Sequence, residues 1–264
     1  DSAVMDLPDK SVDIIITDPP FFDNVHYSEL ADFFFVWQQL YFGTGVPDGS
    51  CSTRHAHEVQ DTEAEGFAKK LKRVFCECHR VLRDDGLLVF SYHHSREDGW
   101  STLARAVMGA GFTIVQSQPV KAEMSVAAPK SQTKEPIDLD VLLVCRKRES
   151  DFRLLTHEDE VLQRAVTGAT QKVIRFNKAG RRLSRGDVRV VLLSQLLVES
   201  SKGRTADEVD RVLEALLPQT RGAIEMIWRG QDVRGSTEPI APLSESVQLT
   251  LFGPATGATP GTEA

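Results

Sequence analysis

The alternation of apolar and polar positions along the chain predicts a strand-rich first part and a helical second part. Short apolar runs predict strands at 12–16, 87–92, 112–120 and 138–146. Apolar positions three and four residues apart predict helices at 28–42, 63–83, 100–110, 158–176, 185–199 and 206–217. This order predicts an α/β fold whose last two strands form a hairpin, which inserts an antiparallel strand into a mostly parallel sheet.

The first predicted strand leads directly into a pair of prolines. Val12 and the isoleucines at 14–16 are β-branched, as expected of a strand that is buried on both faces. Pro19 and Pro20 cannot continue a strand ladder and hold the chain extended. Asp18 is therefore predicted at the carboxyl edge of the sheet, where open α/β folds bind their ligands. The alternative is that these residues form only a strand-ending turn.

Several predicted helices carry end signals or an apolar stripe. Ser28 is a candidate cap for the first helix, and Thr62 with Glu65 and Thr205 with Glu208 have capping-box spacing. The 84–86 segment, Asp-Asp-Gly, is expected to end the second helix. The first helix has an apolar stripe that we expect to pack in the core: Leu30, Phe33, Phe34, Trp37, Leu40 and Tyr41.

Composition limits the environment in which the chain works. No apolar run approaches the roughly 20 residues that span a bilayer, and no signal peptide is recognisable. Four scattered cysteines do not make a disulfide framework, which favours the cytoplasm. A zinc site among the cysteines and histidines of 51–79 is disfavoured, because their spacing fits no standard zinc pattern. We therefore predict no metal.

A resemblance to a known family rests on the residues around the prolines. Asp18-Pro19-Pro20-Phe21 resembles the D/N-P-P-Y/F/W motif of amino-methyltransferases, which transfer a methyl group from S-adenosylmethionine to an exocyclic amine of a nucleobase. The longer string at 17–30, TDPPFFDNVHYSEL, resembles a subgroup of large DNA methylases described as adenine-specific. The similarity covers residues 1 to about 147, with an extension into the helical tail as the alternative, and implies the second half of a Rossmann-like methyltransferase sheet.

The resemblance implies a role for each motif residue. Asp18 and the Pro19 carbonyl would accept the two amine hydrogens, the rigid Pro20 would help to fix them, and Phe21 would stack on a flipped base. These four residues are the predicted catalytic set. The predicted substrate-binding set is Phe22, Asn24, His26, Tyr27 and His93. Ordinary loop hydrogen bonds are the alternative for Asn24, His26 and Tyr27, and a structural role is the alternative for His93.

The cofactor site is only partly recognisable. Asp1 and Ser2 resemble the start of the segment that contacts the cofactor adenine in this family. The family's glycine-rich F-x-G-x-G loop is absent before the first strand, and the glycines at 253 and 257 lack the strand-to-helix context that such a loop needs. We therefore expect a fragment that is inactive alone, whose cofactor loop lies in an N-terminal segment or another subunit.

The net charge and the C-terminal tail give information about possible binding partners. The net charge of −7 is unusual for a DNA-binding protein. One segment of the chain is nevertheless strongly basic, and we expect it either to contact DNA or to form a solvated face. Its cationic residues are Lys172, Arg175, Lys178, Arg181, Arg182, Arg185 and Arg189. The Pro-, Gly-, Ser- and Thr-rich tail is expected to be disordered. Within it, Gln248 to Phe252 (QLTLF) resembles the peptide that binds the bacterial sliding clamp.

These observations lead to one functional prediction and two alternatives. The prediction divides the chain into a catalytic half-domain (1–149), a helical module (150–234) and a flexible tail (235–264). It assigns S-adenosylmethionine-dependent methylation of an exocyclic amine in DNA, with adenine as the base. One alternative is a methyltransferase acting on RNA or on protein glutamine. The other is a non-enzymatic fragment that binds DNA or the sliding clamp.

Overall fold

A computed structural model describes residues 2–20, 27–42, 52–55, 58–59, 61, 63–122, 137–148 and 157–231. Its strands are β1 (Val12–Thr17), β2 (Leu82–Tyr92), β3 (Phe112–Lys121) and β4 (Leu139–Lys147). Its helices are α1 (Tyr27–Phe42), α2 (Ala64–Val81), α3 (Glu97–Gly109), α4 (Glu158–Lys178), α5 (Arg185–Ser201), α6 (Ala206–Leu216) and α7 (Thr220–Arg229). A short 3₁₀ turn, Leu217–Gln219, joins α6 to α7.

The four strands form one sheet in the order β1-β2-β4-β3. β1 pairs parallel to β2, whereas β4 is antiparallel to both β2 and β3. Three strands therefore run in one direction, and the last strand of the sequence is inserted between two of them. The hairpin prediction and the α/β fold class, the second half of a methyltransferase-like sheet, are confirmed.

One face of the sheet, here called the inner face, is covered by helices. Leu88, Phe90 and Tyr92 of β2 are fully buried there, and so are the neighbouring Leu143 and Val141 of β4. α2 covers β2, and the rings of Phe75 and Phe90 lie 5.2 Å apart between their centroids. α3 and α5 cover the remaining strands. The buried large side chains form a single apolar cluster with those of α4 to α7.

The prediction that β1 is buried on both faces is wrong. Ile14 is 43% exposed and Ile16 is 74% exposed. The parallel register pairs Ile14 with Leu87 and Ile16 with Val89, so both isoleucines point away from the inner face. The described helices that contact the sheet pack on the inner face, and this leaves the two isoleucines accessible.

The prediction that the apolar stripe of α1 packs in the core is also wrong. Phe33, Trp37 and Tyr41 are 63%, 60% and 85% exposed. Polar contacts connect α1 to a neighbouring segment: the carboxylate of Asp32 accepts hydrogen bonds from the backbone N–H and the hydroxyl of Thr53. The hydrogen bond from the Thr53 N–H lowers the pKa of Asp32. The apolar stripe itself faces outward.

Helix ends differ from the predictions by one to several residues. α1 begins at Tyr27, so Ser28 is inside the helix and does not cap it. Glu63 is the cap residue of α2, and the Asp61 carboxylate accepts its N–H. Thr62 of the predicted capping box lies outside the described residues. The 82–86 segment belongs to β2, because Leu82 already pairs with Val12. The capping box of Thr205 and Glu208 is confirmed.

The helical part of the chain is attached to the sheet by buried polar contacts as well as by apolar packing. The Ser201 hydroxyl donates to the Ile114 carbonyl of β3 at 2.9 Å. The Gln195 amide nitrogen lies 2.5 Å from the Ser117 hydroxyl oxygen. α5 is therefore placed against β3 by groups that would be costly to leave unpaired. The proposed domain boundaries stay a prediction, and residues 235–264 lie outside the described part.

Candidate active site

The Asp-Pro-Pro segment begins where β1 ends, at the carboxyl edge of the sheet. Asp18 follows the last residue of β1 and its side chain is exposed, while Pro19 is buried. The Ser91 hydroxyl on β2 donates a hydrogen bond to an oxygen of the Asp18 carboxylate. The parallel register makes this contact possible, because Thr17 lies beside Phe90 and the next residue on each strand is Asp18 and Ser91.

A second polar pair lies beside the first. His93 Nδ1 is 2.5 Å from Asp140 Oδ1, and both side chains are partly buried. β2 and β4 are antiparallel here, with Tyr92 opposite Val141, so His93 and Asp140 are the next pair along. Ser91 is on β2 and His93 directly follows it. Residues two apart along a strand point to the same side of the sheet. The carboxyl edge therefore carries two side-chain pairs, each with one carboxylate.

Hydrogen bonds hold the residues that lie next to this edge. His94 is buried, its Nδ1 accepts a hydrogen bond from the Arg96 N–H at 3.1 Å, and burial lowers the pKa of its ring. Trp100 Nε1 donates to the His94 carbonyl at 2.9 Å. The Tyr92 hydroxyl donates to the Gly99 carbonyl at 2.9 Å, and burial raises its pKa. Of the two adjacent histidines, His94 is buried within the fold and His93 lies at the carboxyl edge.

A family model described as DNA methylase matches residues 12–215 of this chain. The match covers more than half of the sequence and includes both the Asp-Pro-Pro segment and the helices through α6. The chain belongs to the N6/N4 DNA methylase family. A search of curated proteins finds no match. The family assignment supports methylation of DNA amino groups by this methylase. Within the described ranges, no helix is long and apolar enough to cross a bilayer.

The structure brings together four of the predicted site residues of this methylase. Asp18, Pro19, Pro20 and His93 lie at one edge of the sheet. Tyr27 is the first residue of α1 and is 62% exposed. Five other predicted residues lie outside the described part of the chain: Asp1, Phe21, Phe22, Asn24 and His26. The tail peptide Gln248 to Phe252 also lies outside it.

Ser2, predicted to contact the cofactor, lies in a segment that is anchored to α2. Met5 N–H donates to Glu77 at 2.8 Å, and Arg80 donates to the Met5 carbonyl at 3.0 Å. The hydrogen bond from Arg80, followed by that from Met5, lowers the pKa of Glu77 to about 2. Next to this segment is a cavity of about 570 Å³, lined by Ala3, Lys69, Lys72, Arg73, Cys76, Glu77 and Arg80.

The described residues of the methylase fit the amine better than they fit the methyl donor. An exposed carboxylate beside a proline carbonyl suits an amine that offers two hydrogens. The described glycines with positive φ are Gly111, Gly180 and Gly203, and none follows a strand and begins a helix. The described residues therefore do not by themselves form the glycine turn that binds a nucleotide-like cofactor. Nor does any group of three metal-ligating side chains come together within them.

Sequence reasoning missed two residues at this edge, Ser91 and Asp140. Ser91 precedes His93 by two positions, so strand alternation could have placed both on one side of β2. Asp140 becomes the partner of His93 only through the register of β2 and β4, which join segments about 50 residues apart in the chain. Pairing at such separation is not encoded in any local pattern.

Proposed function

We propose that this methylase transfers a methyl group from S-adenosylmethionine to the exocyclic amine of adenine in DNA. The observation that supports the proposal best is the exposed Asp18 carboxylate, which Ser91 orients at the open end of the sheet. An amine of a nucleobase is a weak nucleophile because its lone pair is delocalised into the ring. Fixed hydrogen-bond acceptors directed at its two hydrogens favour a tetrahedral nitrogen and restore the nucleophile.

Each residue of the proposed site has a defined task. One oxygen of Asp18 is occupied by Ser91, which leaves the other oxygen to accept an amine hydrogen. The Pro19 carbonyl accepts the second hydrogen; within the described residues no hydrogen bond engages that carbonyl. After transfer the nitrogen releases a proton, which the Asp18 carboxylate accepts. Phe21, with Phe22, Asn24, His26 and Tyr27, shapes the pocket around the base.

The methyl donor supplies an electrophilic methyl group on a sulfonium. We infer that its glycine-rich loop comes from an N-terminal segment or another subunit, and that Asp1 and Ser2 lie next to its adenine. The absence of a suitable glycine turn within the described residues supports this inference. On this view the chain alone binds the donor weakly. Calorimetric titration of the chain with S-adenosylmethionine tests the point, and micromolar affinity would contradict it.

Transfer of labelled methyl groups tests the function itself. The full-length protein is incubated with tritiated S-adenosylmethionine and with DNA, RNA or protein, and the DNA product is digested to nucleosides. We expect label in DNA as N6-methyladenine. Label in N4-methylcytosine would correct the base, and label in RNA or in protein glutamine would support the first alternative. No transfer to any substrate, with intact DNA binding, would support a binding fragment.

Replacing Ser91 by alanine is expected to lower kcat by about 10-fold to 100-fold, because a hydrogen bond to a charged group contributes about 1.5 to 3 kcal/mol. KM for DNA should change little, since Ser91 acts on Asp18 and not on the duplex. Ser91→Thr keeps the hydroxyl and should recover most of the rate. Ser101→Ala, which removes an exposed hydroxyl bonded to the Asp98 carbonyl, is the matched control. An unchanged kcat in Ser91→Ala would remove Ser91 from the site.

The tail peptide Gln248 to Phe252 is proposed to bind the sliding clamp. Three apolar anchors in a polar tail are suited to filling a partner's groove. Deleting the five residues is expected to abolish calorimetric binding to the clamp without changing methyl transfer to short duplexes. If the deleted protein binds the clamp as tightly as the intact one, the peptide is not the contact.

A further inference from the structure

The members of the basic cluster differ in their surroundings. Lys172 points inward, where its Nζ donates to the Ser117 carbonyl at 2.8 Å and burial lowers its pKa. Arg185 pairs with Glu225, with Nε and Oε2 3.2 Å apart. Arg175 is exposed on α4. The other four cations lie on the end of α4, on the turn that follows it, or near the start of α5. These four, here called the basic rim, are Lys178, Arg181, Arg182 and Arg189.

Two hydrogen bonds place Arg181 and Arg189 of the basic rim at the carboxyl edge of the sheet. Arg189 Nη1 donates to the carbonyl of Ser95, three residues after the end of β2, at 3.4 Å. Arg181 Nη2 donates to the carbonyl of Asp138, which directly precedes β4, at 3.5 Å. Because β4 is antiparallel to β2, its start and the end of β2 are at the same edge. The rim and the Asp18 site therefore share one end of the sheet.

Two acidic groups near the basic rim are used in other contacts. Asp187 is only 2% exposed; its carboxylate accepts hydrogen bonds from the Asp138 N–H at 2.7 Å and from the Ser184 N–H at 3.1 Å. Asp140 pairs with His93. Within the described part of the chain, Lys178 and Arg181 form no ion pair. These two cations therefore retain positive charge in a protein whose net charge is −7.

We propose that the basic rim binds backbone phosphates of the DNA strand that flanks the base presented to Asp18. This inference rests on the proposed function, because it needs a DNA substrate at the same edge. A guanidinium group can donate two parallel hydrogen bonds to the oxygens of one phosphate. Such contacts fix the position of a duplex but do not depend on its base sequence. A chain with an acidic average needs such a local cationic surface, since DNA affinity comes largely from displaced counterions.

The salt dependence of DNA binding tests the basic rim. Binding of the full-length protein to a fluorescein-labelled duplex is followed by anisotropy between 50 and 200 mM salt, without methyl donor. Each phosphate that a variant no longer neutralises reduces the slope of log K against log salt by about 0.9. Lys178→Ala combined with Arg181→Ala is therefore expected to lower the slope by nearly two and to weaken binding equally for duplexes of different sequence.

A matched control removes the same two residue types elsewhere. Lys72 and Arg73 are exposed on α2. Lys72 lies next to Gly109, the last residue of α3. This end of α3 precedes β3 and is far from the carboxyl edge of the sheet. Their double alanine variant should keep the wild-type slope. Thermal melting of both variants checks the fold, and Lys178→Arg with Arg181→Lys should restore the slope.

The outcomes separate this inference from the proposed function. If the wild type binds and methylates DNA while the rim variant keeps its slope, the rim is a solvated surface and the inference is overturned. An equal loss of slope in the Lys72 and Arg73 variant would also overturn it, because the effect would then reflect overall charge. If the wild type binds RNA but not DNA, the proposed function fails and the inference fails with it.

Discussion

Replacing Asp18 by alanine is expected to lower kcat for DNA methylation by at least about 100-fold, the usual cost of removing one preorganised hydrogen-bonding group from an active site. The carboxylate is exposed at the end of β1, so its loss removes a group that orients the amine and accepts its proton. KM for DNA should change far less than kcat. Methyl transfer by the full-length protein under saturating donor measures both.

Two further variants make the Asp18 experiment specific. Asp18→Asn keeps one oxygen acceptor but loses the charge, so we expect a rate between those of wild type and Asp18→Ala. Asp13 is the matched control, because it lies on the same strand at its other end and is an exposed partner of Arg83 at 3.2 Å. Asp13→Ala should methylate at the wild-type rate. Wild-type activity in Asp18→Ala would exclude Asp18 from the mechanism.

Replacing Trp100 by alanine is expected to lower the free energy of unfolding by about 3 to 5 kcal/mol. Trp100 is fully buried, and its ring packs edge-on against Tyr92 with 5.3 Å between centroids. The variant leaves a large cavity under the carboxyl edge and removes the donor to the His94 carbonyl, which is costly to leave unpaired. Urea unfolding of the purified chain, followed by circular dichroism, measures the loss.

Trp37 gives this stability experiment its control. It is the same residue type but is 60% exposed on α1, so Trp37→Ala should change the free energy of unfolding by no more than about 0.5 kcal/mol. If Trp100→Ala does not fold, Trp100→Phe keeps most of the volume and should lose less stability. Similar losses for Trp37→Ala and Trp100→Ala would contradict the burial described above.

The sequence was sufficient to predict the hairpin and every helix and strand except α7, because each depends on local periodicity. β3 and β4 alternate buried and exposed residues over much of their length, and the same alternation is present in the order of their apolar and polar residues. The position of Asp18 was also predictable, since two prolines must end a strand. Both depend on residues that are adjacent in the chain.

The features that could not be predicted depend on which parts of the folded chain pack against each other. Ile14 and Ile16 have the composition of a buried strand, but their exposure depends on whether anything covers that side of the sheet. The same holds for the aromatic stripe of α1, whose spacing alone cannot distinguish a core-facing helix from an outward-facing one. The contacts of Ser91 with Asp18 and of Arg181 with Asp138 arise from register and packing between distant segments.

The insertion of β4 between β2 and β3 has a consequence for biosynthesis. Leu88 pairs with Cys145, so β2 and β4 cannot pair until the region around Cys145 leaves the ribosome. Until then β2 and β3 expose unpaired edges and apolar side chains to the cellular environment. Contacts of such long range slow folding and lengthen the time during which a nascent chain can aggregate.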